Sequence, residues 1–295
     1  MLSYFQAIVI GALQGVTELF PISSLGHSVL VPAWLGWDNL VTAQSADESF
    51  YLAFVVALHV ATALALLLFF RSEWVRIITG FGRSVRTRRI EGADERLAWL
   101  LIVATIPTGV VGLLLEHSLR TLFAKPLAAA VFLTLNGMVL LAGEWFRRKA
   151  RARELLATPT PASSAHDSRD LDALDFREAG VVGVAQVGAL FAGISRSGIT
   201  MVAGLARGLD HEDAARFSFL LATPIILAAG VYKVPDLAGH LGDGIRGQAF
   251  VGAAVAGAAA YLSVRFLVRF FETRTLLPFA VYSLAAGLLS VARFI

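Results

Sequence analysis

The chain has 295 residues, of which 57% are hydrophobic and only 16% are charged. Soluble domains carry about 25% charged residues, so this composition excludes an ordinary soluble protein. The formal net charge is +3. Because the basic residues cluster between apolar stretches, they predict membrane topology rather than nucleic-acid binding. The chain has no cysteine, so its redox compartment cannot be inferred from disulfide patterns.

Long apolar segments dominate the chain. A helix needs roughly 20 apolar residues to cross the hydrocarbon core of a bilayer. The N-terminal segment is apolar too, but it lacks a basic leader and carries Gln14 and Glu18, which predicts a mature segment rather than a cleaved signal. Six later segments are predicted to span the membrane: 50–70, 97–115, 122–144, 214–232, 247–270 and 276–293.

Two polar regions, 71–96 and 146–178, interrupt the apolar pattern and hold seven basic residues each. Both are predicted to be loops, and residues 158–170 (TPTPASSAHDSRD) have the composition of a flexible linker. Residues 1–295 are interpreted as a single membrane domain. Within it we distinguish a first pseudo-repeat of about 1–145, a polar linker of about 146–178 and a second pseudo-repeat of about 179–295.

Each half opens with a segment that is too polar and Gly-rich to be a simple span, namely 1–40 and 179–208. If both enter the membrane and return to the side from which they came, the halves are inverted relative to each other. The cytoplasmic loops then hold 19 of the 25 Lys and Arg residues, in agreement with the positive-inside rule. The prediction is an all-α integral membrane protein with six transmembrane helices plus two re-entrant helical segments in an inverted repeat.

The first re-entrant segment carries one group of polar residues. Gln14 and Glu18 are four residues apart and therefore share a helix face, and Pro21 ends that helix. Ser24 and His27 suit a nucleophile and its base. Glu18 has three roles that stay open, since it can orient the histidine, act as the base itself or hold a divalent cation. The small and polar residues after Pro21 are Ser23, Ser24, Gly26 and His27.

The second re-entrant segment carries the other group. Gln186 precedes a Gly-Ile-Ser-Arg-Ser-Gly turn, in which glycine lets the backbone approach a ligand closely. The guanidinium fork of Arg196 suits phosphate oxygens. The residues of this group are Gln186, Gly193, Ser195, Arg196, Ser197, Gly198 and Thr200. The two groups together predict an anion site between the two segments.

Structural interpretations of the same residues stay open. Glu18 and Arg196 can form a buried ion pair that holds the halves together, and Gln14 can serve as a helix–helix hydrogen bond. Serines at 23, 24 and 197 can cap helices. His59 lies within an apolar span, where a structural role is favoured.

At these residues the chain resembles the undecaprenyl-diphosphate phosphatase family of bacteria, the integral-membrane type associated with bacitracin resistance. The family's first motif has an acidic residue or Gln, then Glu, then Pro-x-Ser-Ser-x-Gly-His, and it is matched by Gln14, Glu18, Pro21, Ser23, Ser24, Gly26 and His27. The second motif, Pro-Gly-x-Ser-Arg-Ser-Gly-x-Thr, is matched by Gly193, Ser195, Arg196, Ser197, Gly198 and Thr200. The chain departs from the pattern at Ala192, where Pro is usual, and at Leu25, where Thr is common.

The resemblance implies hydrolysis of undecaprenyl diphosphate to undecaprenyl phosphate and inorganic phosphate, which recycles the lipid carrier for peptidoglycan synthesis. Arg196 would bind the diphosphate, and Ser24 would attack it with His27 as base or acid. Glu18 and Gln14 would position these groups or a divalent cation, Mg²⁺ or Ca²⁺. The implied substrate-binding residues are Gln14, Ser23, Gly26, Gln186, Ser195, Ser197, Gly198 and Thr200. Whether Ser24 or an activated water attacks stays open.

The resemblance also implies a multi-pass protein of the bacterial inner (plasma) membrane, with a site that opens to the extracytoplasmic side. Its partners would be the polyprenyl diphosphate and membrane lipids, not nucleic acid, and a homodimer is compatible with the sequence. Two other classes of function stay open. Inverted repeats are typical of transporters, so a lipid-phosphate transporter or flippase is one alternative, and a purely structural membrane protein is the other.

Overall fold

The computed structural model describes residues 2–44, 49–123, 125–157, 171, 174–233, 237, 239 and 242–295. This part of the chain is all-helical and has no β-strand. In chain order the helices are α1 (Tyr4–Thr17), α2 (Ser24–Trp34), α3 (Asp38–Gln44), α4 (Phe50–Phe69), α5 (Arg71–Thr87), α6 (Ala93–Phe123), α7 (Pro126–Ala157), α8 (Phe176–Val187), α9 (Arg196–Leu205), α10 (His211–Lys233), α11 (Arg246–Phe271) and α12 (Leu277–Phe294).

Six of these helices are long and apolar enough to cross a membrane. They are α4, α6, α7, α10, α11 and α12, and they coincide with the six spans predicted from the sequence. By contrast, α1 has 14 residues and covers about 21 Å at 1.5 Å per residue, which is short of a bilayer core. The prediction of an all-helical protein with six candidate membrane spans is therefore confirmed.

The predicted loop 71–96 is wrong over most of its length, because residues 71–87 form the helix α5. Its side chains follow a helical period, with Val75, Ile78 and Val85 exposed on a face between arginines. This pattern is typical of a helix that lies in a membrane interface. Arg88 ends the helix with a left-handed backbone, φ 55°.

The predicted linker 146–178 is also shorter than expected. Helix α7 continues to residue 157 through a run of Arg, Lys, Ala, Glu and Leu, which are all strong helix formers. At the other end, Asp175 and Glu178 form a capping box that begins α8 at residue 176. The centre of the predicted linker, 158–170, lies outside the described residues.

Polar contacts identify the helix ends that share one side of the bundle. The start of α10 meets α5 through Arg216 Nε and Glu73 Oε2, which are 3.1 Å apart. The same end of α10 meets α7 through His211 Nε2 and Glu144 Oε1, 2.6 Å apart. The backbone N–H of Leu276, just before α12, donates to Glu144 at 2.7 Å. The ends of α4 and α11, the part of α7 around Glu144 and the starts of α5, α10 and α12 therefore lie together.

The short helices connect to both sides of the bundle. The Trp34 indole N–H, at the end of α2, donates to Ser290 Oγ near the end of α12 at 3.0 Å. The Arg96 guanidinium, near the start of α6, donates to the carbonyl of Leu174 just before α8 at 2.9 Å. The start of α6 also meets α5, since Arg76 Nε lies 3.5 Å from Asp94 Oδ1. The start of α8 thus lies with the helix ends grouped above, which carry the arginines of α5 and of the end of α11; we call this the side of the basic helix ends. The end of α2 lies on the opposite side.

Close approach of backbones holds α1 against α11. A Cβ on Gly11 would overlap the carbonyl oxygen of Gly252, and a Cβ on Gly15 would overlap that of Ala256. Small residues at this spacing let membrane helices pack at short distance. This contact seats α1 in the bundle and fixes the position of its C-terminal end, where Glu18 lies.

The α1–α11 contact can be tested with one methyl group. We expect Gly15→Ala to lower the melting temperature of the purified protein by several degrees, because overpacking costs about 1–3 kcal/mol. Gly82→Ala is the matched control, since Gly82 is exposed on α5 and its added Cβ would have no neighbour within 4 Å. Equal melting temperatures for the two variants, measured by thermal unfolding in detergent, would contradict this packing.

Candidate active site

One carboxylate gathers side chains from four helices. Glu18 follows the last residue of α1, and its Oε2 accepts hydrogen bonds from Gln14 Nε2 at 3.0 Å and from Ser24 Oγ at 2.5 Å. His59 Nε2, on α4, lies 3.2 Å from the same oxygen. The other oxygen, Oε1, accepts from Arg196 Nη2 of α9 at 3.3 Å. We call these five residues the Glu18 cluster.

The turn between α1 and α2 presents Ser24 to this carboxylate. After Pro21 the chain reverses through Ser23, whose φ of 70° is unusual for a residue with a side chain. Ser23 Oγ accepts hydrogen bonds from the backbone N–H of Gly26 at 3.2 Å and of Gly193 at 3.1 Å. The first bond caps α2, and the second ties this turn to the other half of the chain. The strained backbone is thereby held from both sides.

The turn between α8 and α9 presents Arg196. The chain leaves α8 through a short 3₁₀ turn and bends at Gly193, where φ is 115°. A Cβ on Gly193 would lie 2.5 Å from the carbonyl oxygen of Ala129, so glycine is required by both conformation and space. Ser195 then caps α9 through the N–H of Gly198 at 3.1 Å. Arg196 is the first residue of α9, where a cation meets the positive end of the helix dipole, and Glu18 offsets that charge.

Asn136 of α7 joins the two turns. Its Nδ2 donates to the carbonyl of Pro21 at 3.0 Å and to Ser283 Oγ at 3.2 Å, and its Oδ1 accepts from the backbone N–H of Ser195 at 2.9 Å. The side chain is fully buried. One amide therefore satisfies a backbone group from each turn, which fixes their separation.

Helix α10 supports Arg196 from behind. The carbonyl of Ser218 accepts from Arg196 Nη1 at 3.0 Å, and Ser218 Oγ accepts from Thr200 Oγ1 at 2.7 Å. Ser197 Oγ lies 3.0 Å from Ser195 Oγ and donates to the carbonyl of Phe20 at 3.3 Å. In this structure these hydroxyls build the second turn and connect it to the first.

His27 does not contact Ser24 in the way the sequence suggested. Its Nδ1 lies 2.7 Å from the carbonyl of Ser23, and its Nε2 lies 2.8 Å from the hydroxyl of Tyr282 on α12. Because a carbonyl can only accept, Nδ1 carries the proton and Nε2 accepts from the tyrosine. The histidine nearest to Ser24 is His59, with Nε2 3.5 Å from Ser24 Oγ.

Gln186, on α8, is bonded to α6. It is fully buried, and its Nε2 donates to Thr108 Oγ1 of α6 at 3.0 Å. Gly26 and Gly198, by contrast, lie where the turns touch. A Cβ on Gly26 would be 2.9 Å from Gly193 Cα, and one on Gly198 would be 3.3 Å from the Pro21 side chain.

Two buried atoms of the Glu18 cluster have no hydrogen-bond partner within the described part of the chain. They are Gln14 Oε1 and Arg196 Nε. A buried polar atom without a partner costs about 1–3 kcal/mol, so such atoms in a buried charged cluster are typical of a ligand site. Arg196 Nε is a donor suited to an anion, and Gln14 Oε1 is an acceptor suited to a hydroxyl or a cation.

A model of the bacitracin resistance protein BacA family matches residues 7–289, a range that includes both turns and the whole Glu18 cluster. This chain belongs to that family.

Curated relatives agree with the family assignment over their full lengths. The chain is 58% identical to Undecaprenyl-diphosphatase 2 of Frankia alni, over 99% of this chain and 98% of the relative. It is also 58% identical to Undecaprenyl-diphosphatase of Mycolicibacterium paratuberculosis, over 97% and 95%. Undecaprenyl-diphosphatase 2 of Chromobacterium violaceum is 44% identical, over 97% of both chains.

The cluster does not have the donor set of a resident metal site. Among the described residues no three His, Cys, Asp or Glu side chains come together in a group suited to a metal ion. Both Glu18 oxygens already accept hydrogen bonds. Glu18 and the unpartnered Gln14 Oε1 fit only a hard cation that takes most of its ligands from phosphate and water, as Mg²⁺ does.

Sequence reasoning assigned structural roles or none to three residues of the site, namely His59, Asn136 and Tyr282. His59 and Asn136 each had a signal, since an ionisable or amide side chain within an apolar span is costly without a partner. Tyr282 had none, because tyrosine is common near membrane interfaces.

The hydrogen bonds of Asn136 to both turns predict that a hydrophobic residue at this position destabilises the protein. We expect Asn136→Leu to lower the free energy of unfolding by about 2–4 kcal/mol, because the Pro21 carbonyl and the Ser195 N–H lose their partner. Thr134→Val on the same helix is the control, since Thr134 donates only to the local carbonyl of Ala130. Unfolding in detergent mixtures measures both variants, and equal stability would show that Asn136 does not hold the turns.

Proposed function

We propose that this protein hydrolyses undecaprenyl diphosphate to undecaprenyl phosphate and inorganic phosphate. Relatives that are named for this activity match nearly the whole length of the chain. The observation that supports it best is the pairing within the Glu18 cluster. Ser24 Oγ donates to one oxygen of Glu18 at 2.5 Å while the guanidinium of Arg196 donates to the other at 3.3 Å. The Glu18 carboxylate, acting as the base, thus contacts both the nucleophile Ser24 and the phosphate-binding cation Arg196.

The first chemical step is attack by Ser24. Its Oγ forms a bond to the terminal phosphorus while its proton passes to Glu18 Oε2. The bond between that phosphorus and the bridging oxygen breaks, and undecaprenyl phosphate leaves with the electron pair. Arg196 binds the terminal phosphate through its fork and stabilises the negative charge that develops on the phosphoryl oxygens.

The second step releases inorganic phosphate. A water attacks the phosphorus of the phosphoserine, the bond to Ser24 Oγ breaks, and the proton held by Glu18 returns to the serine. His59 is bonded through Nδ1 to the carbonyl of Val55 at 2.8 Å, which aims Nε2 at Glu18 and Ser24. His59 therefore keeps the carboxylate in position. His27, on the first turn of α2, has no proton at Nε2 to give, because that atom accepts from the Tyr282 hydroxyl, so its role as base or acid stays a prediction of the sequence.

The binding residues named from the sequence divide into two groups under this proposal. Gln14, through its unpartnered acceptor Oε1, contacts the counterion of the bound phosphate or a protonated phosphate oxygen. The others shape the turns that carry the reacting groups: Ser23, Gly26, Ser195, Ser197, Gly198 and Thr200. Gln186 belongs to neither group, because it bonds to Thr108 of α6, and its role in substrate binding stays a prediction of the sequence.

We place both turns inside the membrane as re-entrant segments. In support, the end of α2 bonds to the end of α12, and a Cβ on Gly247 at the start of α11 would overlap Tyr4 at the start of α1, so α1 and α2 enter and leave on one side. The start of α8 bonds near the start of α6, and Leu209 after α9 accepts from Arg147 of α7 at 3.2 Å. The second pair of helices therefore enters and leaves on the opposite side.

The inverted repeat is supported by matching contacts in the two halves. In the first half α1 packs against α11, the second span of the other half, and in the second half α8 packs against α6, the second span of the first half. The third spans, α7 and α12, pack on each other, as do the first spans, α4 and α10. Such exchange of partners is the pattern expected of a two-fold axis in the membrane plane.

We assign the side with the basic helix ends to the cytoplasm of a bacterial inner membrane, because positive residues are retained there. The start of α1 and the end of α2 then face the extracytoplasmic side, as expected of a site that opens there. A divalent cation, Mg²⁺ or Ca²⁺, arrives with the diphosphate and would be held by Glu18 and Gln14 Oε1. Such a cation would supply charge neutralisation of the phosphate oxygens.

The transporter alternative is not favoured, because the relatives are named as enzymes and a transporter has no need for a hydroxyl bonded to a carboxylate. A homodimer stays a prediction of the sequence.

Loss of the guanidinium tests the site. We expect Arg196→Ala to lower kcat/KM for phosphate release by roughly a hundredfold or more, the scale for removing a group that stabilises transition-state charge. Arg196→Lys should recover little, because an ammonium lacks the fork. Phosphate released from undecaprenyl diphosphate by purified protein in detergent measures the rate, and Arg148→Ala, an exposed arginine of α7, is the control.

Wild-type turnover by Arg196→Ala would overturn the site assignment. Two further experiments test the serine nucleophile and the divalent cation separately. Acid quench during turnover should capture a phosphorylated Ser24 peptide, and Ser24→Ala should be inactive. Addition of EDTA should abolish turnover and Mg²⁺ should restore it. An unchanged rate in EDTA would contradict the cation while leaving the phosphatase function intact.

The two histidines are predicted to differ in their effect on the chemical step. We expect His59→Ala to lower kcat by about a hundredfold or more with little change in KM, since Glu18 loses the group that positions it. Tyr282→Phe, which removes only the hydroxyl bonded to His27, should cost less than tenfold. A larger loss from His27→Ala than from His59→Ala, at equal melting temperature, would assign the base to His27 instead.

A further inference from the structure

A shallow, open cavity of about 440 Å³ lies along the end of α11, on the side of the basic helix ends, and is lined by residues of this helix and of the turn after it, none of which belongs to the Glu18 cluster. Arg265 and Arg269 line it from one face of the helix, four residues apart, and Arg274 follows the helix end. All three side chains are exposed. The cavity therefore collects three positive charges where the last turn of a membrane helix ends.

These arginines have no acidic partner within the part of the chain that the structure describes. No carboxylate of the described residues forms an ion pair with Arg265, Arg269 or Arg274, although Glu272 lies between two of them in sequence. Arginines that only determine membrane topology are not expected to line a common cavity. Three unpaired guanidinium groups around one cavity are instead complementary to a phosphate group.

Part of the cavity wall is apolar. Leu262 and Phe266 are 65% and 52% exposed, and they lie about one helical turn before Arg265 and Arg269 respectively. Phe266 stacks on Phe20 with ring centroids 5.9 Å apart, and Phe270 packs edge-on against Phe279 at 5.4 Å. The aromatic rings hold the wall in place, and the exposed faces of Leu262 and Phe266 suit a hydrocarbon chain.

We propose that this cavity binds an anionic phospholipid of the bilayer. The guanidinium groups of Arg265, Arg269 and Arg274 hold the headgroup phosphate, and one acyl chain lies along Leu262 and Phe266. Basic pockets at the cytoplasmic ends of membrane helices bind lipid headgroups in this way. A phospholipid fits better than a soluble phosphate because charge and exposed apolar surface adjoin each other along the helix. The inference is independent of the phosphatase reaction, since it concerns binding at a separate surface.

Native mass spectrometry of the purified full chain in detergent tests this site. The protein is mixed with equimolar phosphatidylglycerol, phosphatidylcholine and undecaprenyl phosphate, and the fraction that retains each lipid is measured. The test variant is Arg265→Gln with Arg269→Gln and Arg274→Gln. The matched control is Arg71→Gln with Arg86→Gln and Arg148→Gln, which removes the same charge from exposed arginines that do not line the cavity.

We expect wild type and control to retain phosphatidylglycerol, and the test variant to retain it at least about tenfold more weakly, since each basic residue contributes about 1 kcal/mol near an anionic lipid. Melting temperatures without added lipid should be equal, because the changed residues are exposed. Equal retention by the test variant would overturn the proposal. Retention of phosphatidylcholine as strong as that of phosphatidylglycerol would overturn it as well, and so would displacement of phosphatidylglycerol by undecaprenyl phosphate.

Discussion

The ion pair between Glu18 and Arg196 is the constraint on which the rest of the structure depends. Each charge is buried among apolar helices, where an isolated ionised side chain costs from about 2.5 to more than 10 kcal/mol. The two residues are 178 positions apart in the chain, and they meet at 3.3 Å because the turn after α1 packs against the turn before α9. Such an ion pair forms only if the two turns are brought together. The buried charges therefore depend on the packing of the two turns, and the pair in turn stabilises that packing.

Bringing the turns together creates a second problem, which the structure solves with three polar side chains. Helix ends leave backbone groups without partners, and such groups are costly among apolar helices. Ser23 accepts from the N–H of Gly26 and of Gly193, and Ser195 accepts from that of Gly198. Asn136 then satisfies one backbone group from each turn. The same bonds that remove the cost also fix the distance between Ser24 and Arg196.

Much of the site was visible in the sequence, but the partners of its histidines were not. Ser24 and His27 are three residues apart on α2, and that spacing favoured a nucleophile–base pair. In the structure His27 bonds to Ser23 and Tyr282, whereas His59 from α4 reaches both Glu18 and Ser24. Sequence spacing predicts which side chains share a helix face, but it does not predict which face turns toward which neighbour. The loop predicted over 71–96 was wrong for a related reason, because a charged helix in an interface has the composition of a loop.

The sequence by itself determined the six apolar helices and the two polar groups. Hydrocarbon thickness sets the length of a span. Most of the first polar group follows Pro21, which disfavours a continued helix, and most of the second follows the bend at Gly193. Family membership followed from the same local patterns. Only the tertiary structure decided that Glu18 is the meeting point, that His59 belongs to it, and that Asn136 spans the turns. Those contacts join residues tens to hundreds of positions apart, and they depend on how whole helices pack. That packing is set by close contacts such as that of Gly15 of α1 with α11, and the small-residue spacing alone does not say which helix is the partner.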